Sequence, residues 1–236
     1  MNDGITVAQL LGATVDEIQA RARVAIVYLV ITIPLGALSL FFENDAAGIL
    51  SGNLGFLDAF SGQILLGVVV GAAYMVVLFM ADYWLTAGMV RQTDAPSFDR
   101  FLPFVGIYIL AVLGMMLGFL LLIVPGIILV VRWLPLLPAV IDRDEAAMDS
   151  FADSWEMTRG SGWSIFGVFL LTVIAAITIA VTIVGAASSF GGAGSPAAII
   201  LESVVDGLSS VFFIALAVAA YRLLNPDRNR VEDVFE

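Results

Sequence analysis

Apolar residues run in long blocks along this chain, and short polar stretches separate the blocks. A helix crosses a bilayer with roughly 17–25 mainly apolar residues. On that measure the chain predicts transmembrane segments at 24–42, 64–84, 101–124, 163–184 and 197–224, and a shorter one at 126–140. The two middle segments come from one unbroken apolar stretch, Phe101–Val140. It is too long for a single span, and Val124-Pro125-Gly126 is the turn signal near its centre. The predicted fold class is therefore all-α: a polytopic helical membrane protein with six transmembrane helices and cytoplasmic interfacial amphipathic helices. No polar stretch is long enough to hold a separate core, so residues 1–236 read as a single membrane domain.

The polar stretches carry patterns of their own. In 144–159 the residues Met148, Phe151, Ala152, Trp155 and Thr158 fall on one helix face, with Asp149, Asp153 and Glu156 on the other. This spacing predicts an amphipathic helix lying on the interface, with Gly160 as its terminator. The acidic face is either a solvated face or a docking surface for a basic partner. In the N-terminal segment, 1–23, both Thr6–Gln9 and Thr14–Glu17 match the capping-box pattern. With Gly12 between them they predict a short interfacial helix followed by a second one entering the first span. The opening Met-Asn-Asp-Gly lacks early basic residues, so the first span reads as a retained anchor. Residues 225–236 form a polar tail.

Charge orients these elements. Every basic residue is Arg, and nine of the ten fall before span one, between spans two and three, between spans four and five, or at and beyond the C-terminal end of span six. Positive charge at every second connection predicts cytoplasmic placement of those connections, and so of both termini. The tenth, Arg132, lies inside span four. An Arg within a span needs a partner, and Glu202 and Asp206, four apart on span six, are the candidates. An Arg132–Asp206 contact is expected, serving either as a structural ion pair or as a binding site or gate. Pro135 and Pro138 follow by one turn and should kink span four; Pro34 should bend span one. Gly67/Gly71 and Gly114/Gly118 give spans two and three small faces for close helix packing. The Asp82-Tyr83-Trp84 triplet reads as an interfacial anchor. Glu43, Asp45 and Asp58 in the second loop make a weak divalent-cation site conceivable, though a folded-back loop is the preferred reading.

Composition narrows the chemistry. The chain has no His, Cys or Lys and a net charge of −11. Thiol nucleophiles, imidazole bases, Schiff bases and His- or Cys-ligated metals are all excluded. Catalytic, cofactor-binding and metal residues are expected to be none, and the acidity argues against nucleic acid.

The run Val124-Pro125-Gly126-Ile127, then Arg132, then Pro138-Ala-Val-Ile-Asp142, Ala147 and Ser154-Trp-Glu-Met-Thr-Arg-Gly160 before Trp163 resembles a known family. It is similar to the membrane domain that accompanies bacterial glycerophosphoryl diester phosphodiesterases, and to its free-standing relatives of unknown function. The ending Tyr221-Arg222-Leu223 is similar too. The chain differs in carrying Asp149 and Asp153 where the family usually has basic residues. Nothing in it resembles the soluble phosphodiesterase domain, whose catalysis depends on His. The resemblance implies a multi-pass protein of the bacterial inner membrane. The expected role is non-enzymatic: an accessory or membrane-organising subunit that meets lipids, a membrane-protein partner or a second copy. The alternative is a small transporter or channel for a polar or anionic solute, using Arg132, Glu202 and Asp206.

Overall fold

A computed structural model describes residues 5–50, 62–142, 147–192 and 195–225; the side chains of 41–50, 62–68, 184, 188 and 190 are not described. The described residues form helices and no strand: α1 (Val7–Ala20), α2 (Ala22–Leu50), α3 (Gly62–Val90), α4 (Phe101–Leu121), α5 (Ile123–Arg132), α6 (Leu136–Asp142), α7 (Asp149–Met157), α8 (Gly162–Gly191) and α9 (Pro196–Leu224). Six segments are long and apolar enough to cross a membrane, the fourth being Ile123–Asp142, which comprises α5 and α6. The all-helical polytopic class thus holds. The side chains of Glu43, Asp45 and Asp58, named for a cation site, lie outside the described residues.

Three boundaries differ from the sequence pattern. The turn between α4 and α5 is the single extended residue Leu122 (φ −164°, ψ 149°), not Val124–Gly126. Pro125 instead sits in the first turn of α5, where a missing N–H costs nothing because those donors have no intrahelical acceptor. At the N-terminus, one helix runs through Gly12. The Thr6–Gln9 capping box forms, but the Thr14 hydroxyl donates to the Leu10 carbonyl at 2.7 Å, so the second box is spent inside α1. The third difference is at Pro135, where the expected kink is a full break between α5 and α6. Pro34, by contrast, is carried within a continuous α2.

The chain divides into two compact units, the first from Met1–Ala25, Tyr83–Val173 and Val211–Glu236, the second from Ile26–Asp82 and Ile174–Ser210. The sequence shows no such boundary because the division falls within α2, α3, α8 and α9 rather than in a loop.

In the first unit, one core joins Leu10 of α1, Val131 of α5, Ile165 and Val168 of α8, and Leu216, Ala219 and Ala220 of α9. A second joins Ile107 and Ala111 of α4 to Leu136 and Val140 of α6. Tyr83, read as an interfacial anchor, is fully buried among Phe98, Phe101 and Phe104 with centroids 5.3–5.5 Å away. Its hydroxyl donates to the Ser97 carbonyl at 2.9 Å, so burial leaves no polar group stranded.

All described arginines belong to this unit, and several grip helix C-termini. The last carbonyls of a helix have no intrahelical donor, and Arg side chains supply one. Arg100 Nε donates to Val140 O at 3.2 Å, at the end of α6. Arg222 Nη2 donates to Met89 O at 2.6 Å, at the end of α3, while its Nη1 bonds Glu17 at 2.5 Å. Arg21 donates to the Gln92 carbonyl and pairs with Asp94, and Arg91 pairs with Asp99.

In the second unit, small residues let α2, α3 and α9 approach. A Cβ on Gly36 would lie 3.3 Å from the Tyr74 hydroxyl, and one on Gly207 would lie 3.1 Å from Leu29. The Tyr28 hydroxyl donates to Asp82 at 2.9 Å. The charged side chains described in this unit are all acids: Asp82, Glu202 and Asp206. Gly71, expected to pack another helix, faces open space.

Candidate functional site

The break at Pro135 builds the site. Proline removes the donor that would bond the carbonyl one turn earlier and crowds it, so α5 stops at Arg132 and leaves its last carbonyls free. In a membrane protein such groups must be satisfied by neighbours. Helix α7 does this: the Ser154 hydroxyl donates to the Arg132 carbonyl at 2.7 Å.

That contact explains why α7 presents an unexpected face. The pattern predicted burial of Met148, Phe151, Ala152, Trp155 and Thr158. Thr158 is buried as expected, but Ser150 and Ser154 are buried with it, while Met148 and Trp155 are 61% and 44% exposed. Phe151 alone keeps its expected apolar role, stacked edge-on against Trp133 at 5.0 Å. Hydroxyl side chains at i, i+4 and i+8 are small enough for close approach, and Ser154 among them carries the donor that the broken helix needs. A count of apolar residues ignores them. Asp149 and Glu156 are exposed and Asp153 is half-buried, on the side of α7 away from this contact. Gly160 takes φ +94°, just beyond the helix end, as its terminator role requires. Replacing Ser154 by Ala leaves the Arg132 carbonyl without that donor and should destabilise the protein by roughly 1–3 kcal/mol. Thermal unfolding in detergent checks this, and an unchanged midpoint would refute it.

Arg132 is held by the same helix. Its Nη1 donates to the Trp155 carbonyl at 3.3 Å and to Thr158 Oγ1 at 3.2 Å. The guanidinium also stands 5.2 Å from the Trp155 ring centroid, a cation–π contact. The candidate residues are thus divided between the units. Arg132 belongs to the first and is engaged on α7. Glu202 and Asp206 belong to the second, where both are exposed on α9. Within its own unit Arg132 engages a carbonyl, a hydroxyl and an indole. These are partners that carry no charge and that a search for counter-ions misses.

Beside Arg132 lies a groove of about 530 Å³, within the size range of ligand sites. One wall is the α5 face Val124, Ile127, Ile128, Val131 and Arg132. These positions follow the i, i+3, i+4, i+7, i+8 spacing of one helix side. The opposite face of α5 is packed against α4, where Gly114 and Gly118 meet Trp133 and Leu129. The second wall is Gly162, Trp163 and Phe166 at the start of α8, with Gly160 at the end. The sequence held both walls, but in blocks so uniformly apolar that no contrast marked this side from the rest.

Residues 104–193 match the family model described as the membrane domain of glycerophosphoryl diester phosphodiesterase. The match spans less than half of the chain and includes every residue of the groove. No curated protein and no solved structure matches the chain.

Proposed function

We propose, with the likeness to that membrane domain as premise, that this integral membrane protein is a non-catalytic accessory or membrane-organising element that engages lipids or partner proteins. Its setting is the bacterial inner membrane, with both termini cytoplasmic. One observation carries the reading: the apolar groove with a single cation at one end, in the segment similar to the phosphodiesterase membrane domain. The side-chain inventory supports it, since neither imidazole, thiol nor amine nucleophile is present. The gathering of the described arginines in one unit supports the orientation, by the positive-inside rule.

The test is purification in mild detergent, identification of what copurifies, and reconstitution into liposomes. Retained phospholipid or a stoichiometric protein partner, without solute flux, is the expected result. Flux that disappears in the Arg132→Ala variant, with nothing copurified, would replace this reading by a transporter.

A further inference from the structure

We propose that the groove between α5 and α8 is a binding site for an anionic phospholipid, with its phosphate on Arg132 and one acyl chain along α5. This rests on the lipid-engaging reading above and names the ligand.

The shape of the polarity carries the argument. From Val124 to Arg132 the α5 wall extends about 12 Å at 1.5 Å per residue. Four of its five lining side chains are aliphatic and the fifth, at one end, is a guanidinium. The α8 wall adds Gly162, Trp163 and Phe166. A site that is apolar along its length and cationic at its end complements an elongated amphiphile with an acidic head. A helix from another protein presents side chains at every turn and has no reason to concentrate one negative group there.

The guanidinium is built to accept that group. Both recorded hydrogen bonds use Nη1. Nε and Nη2 have no partner among the described residues, and no acid pairs with Arg132 among them. Nε and one Nη form the fork that binds a phosphate through two parallel hydrogen bonds. The contacts to Trp155 and Thr158 fix the plane of that fork before any ligand arrives. The acids of α7 do not oppose this. At about 100° per residue, Asp149, Asp153 and Glu156 lie roughly 100° or more around the helix from Trp155, which carries the Arg132 contact. Trp163 is 86% exposed beside the groove, in the manner of indoles at a membrane interface.

The experiment uses the full chain, delipidated in detergent, with native mass spectrometry to read bound lipid. The probes are phosphatidylglycerol and phosphatidylcholine of equal chain length. Phosphatidylglycerol should bind at least about tenfold more tightly, and Arg132→Gln should remove most of that preference. Ile128→Trp, which fills the groove without touching the charge, should weaken both lipids. It also serves as the test if Arg132→Gln does not fold. Equal binding of the two lipids, or inorganic phosphate displacing phosphatidylglycerol at matched concentration, overturns the proposal. So does an unchanged preference in Arg132→Gln or unchanged binding in Ile128→Trp. Lipid retained without headgroup preference would sink this inference alone. Loss of all lipid and partner retention, with Arg132-dependent flux, would sink the function from which it starts.

Discussion

Arg222→Met lowers the stability of the protein in detergent by roughly 3 kcal/mol at neutral pH, the scale on which breaking a buried ion pair destabilises. The substitution strands two groups together. Met89 loses the donor at its carbonyl, at the end of α3, and Glu17, whose side chain is 10% exposed, loses its cation. The partner variant, Glu17→Gln, costs far less. Burial holds the Glu17 carboxyl above the usual range, and the nearby Arg222 charge and hydrogen bond only partly offset it. The folded protein thus binds a proton at Glu17 more tightly than the unfolded chain does. A neutral amide resembles that protonated form and leaves Arg222 on Met89. The sign of the pH dependence follows. A carboxyl raised by folding adds stability as pH falls through its folded value and loses it as pH rises. Removing Arg222 raises Glu17 further, so the defect of Arg222→Met should shrink on acidification from about pH 7.5 toward the carboxylate range. Unfolding midpoints of the two single variants and the double variant, at both pH values, check this. Equal costs for Glu17→Gln and Arg222→Met, or a defect that grows in acid, would refute it.

Gly126→Leu is the second large effect. Leu122 alone connects α4 to α5, so the two helices are committed to close packing from their first turn. A Cβ on Gly126 would lie 2.5 Å from Phe119 Cγ, and one on Gly118 would lie 2.8 Å from Leu129 and 3.1 Å from the Gly126 Cα. At Gly126 the contact is with the body of the Phe119 ring, which has less freedom to swing aside than a chain end such as Leu129 Cδ1. Overpacking of this kind costs roughly 1–3 kcal/mol or more, and the branched chain of Leu places the result at the high end. Gly71→Leu is the matched control, because a Cβ there meets nothing within 4 Å. It should stay within about 0.5 kcal/mol of the parent. If both variants unfold alike, the α4–α5 contact is not what holds the hairpin.

The contrast between these glycines also shows what the sequence could reveal. A small-residue spacing announces that close approach is possible, and both pairs announce it equally. Only the packing says that Gly114 and Gly118 use it and that Gly71 does not. The same limit applies at Pro125-Gly126. A Pro-Gly pair marks either a turn or the opening of a helix, and here it opens α5 while Leu122 turns the chain. Six apolar blocks were legible because length and hydropathy alone decide them. The identity of the partner of Arg132 was not. That choice depends on the break at Pro135 and on two hydroxyl side chains, Ser154 at the Arg132 carbonyl and Thr158 at its guanidinium, and hydroxyls leave no trace in a hydropathy pattern. The groove beside it was written in the sequence in correct helical spacing, but against a background with no polar positions to set it off.

Arg222 joins the last described helix to residues far earlier in the chain, 133 positions back at Met89 and 205 back at Glu17. During synthesis α3 therefore enters the membrane with a C-terminal carbonyl whose donor has not yet been made. At about 5–20 residues per second the wait is on the order of ten seconds. Until α9 emerges, the Met89 carbonyl and the Glu17 carboxylate lack Arg222, and something else must cover them: water, a headgroup or an insertion factor. Helix α9 thus acts as a latch, closing through Arg222 a contact that the chain prepared at Glu17 and Met89 long before.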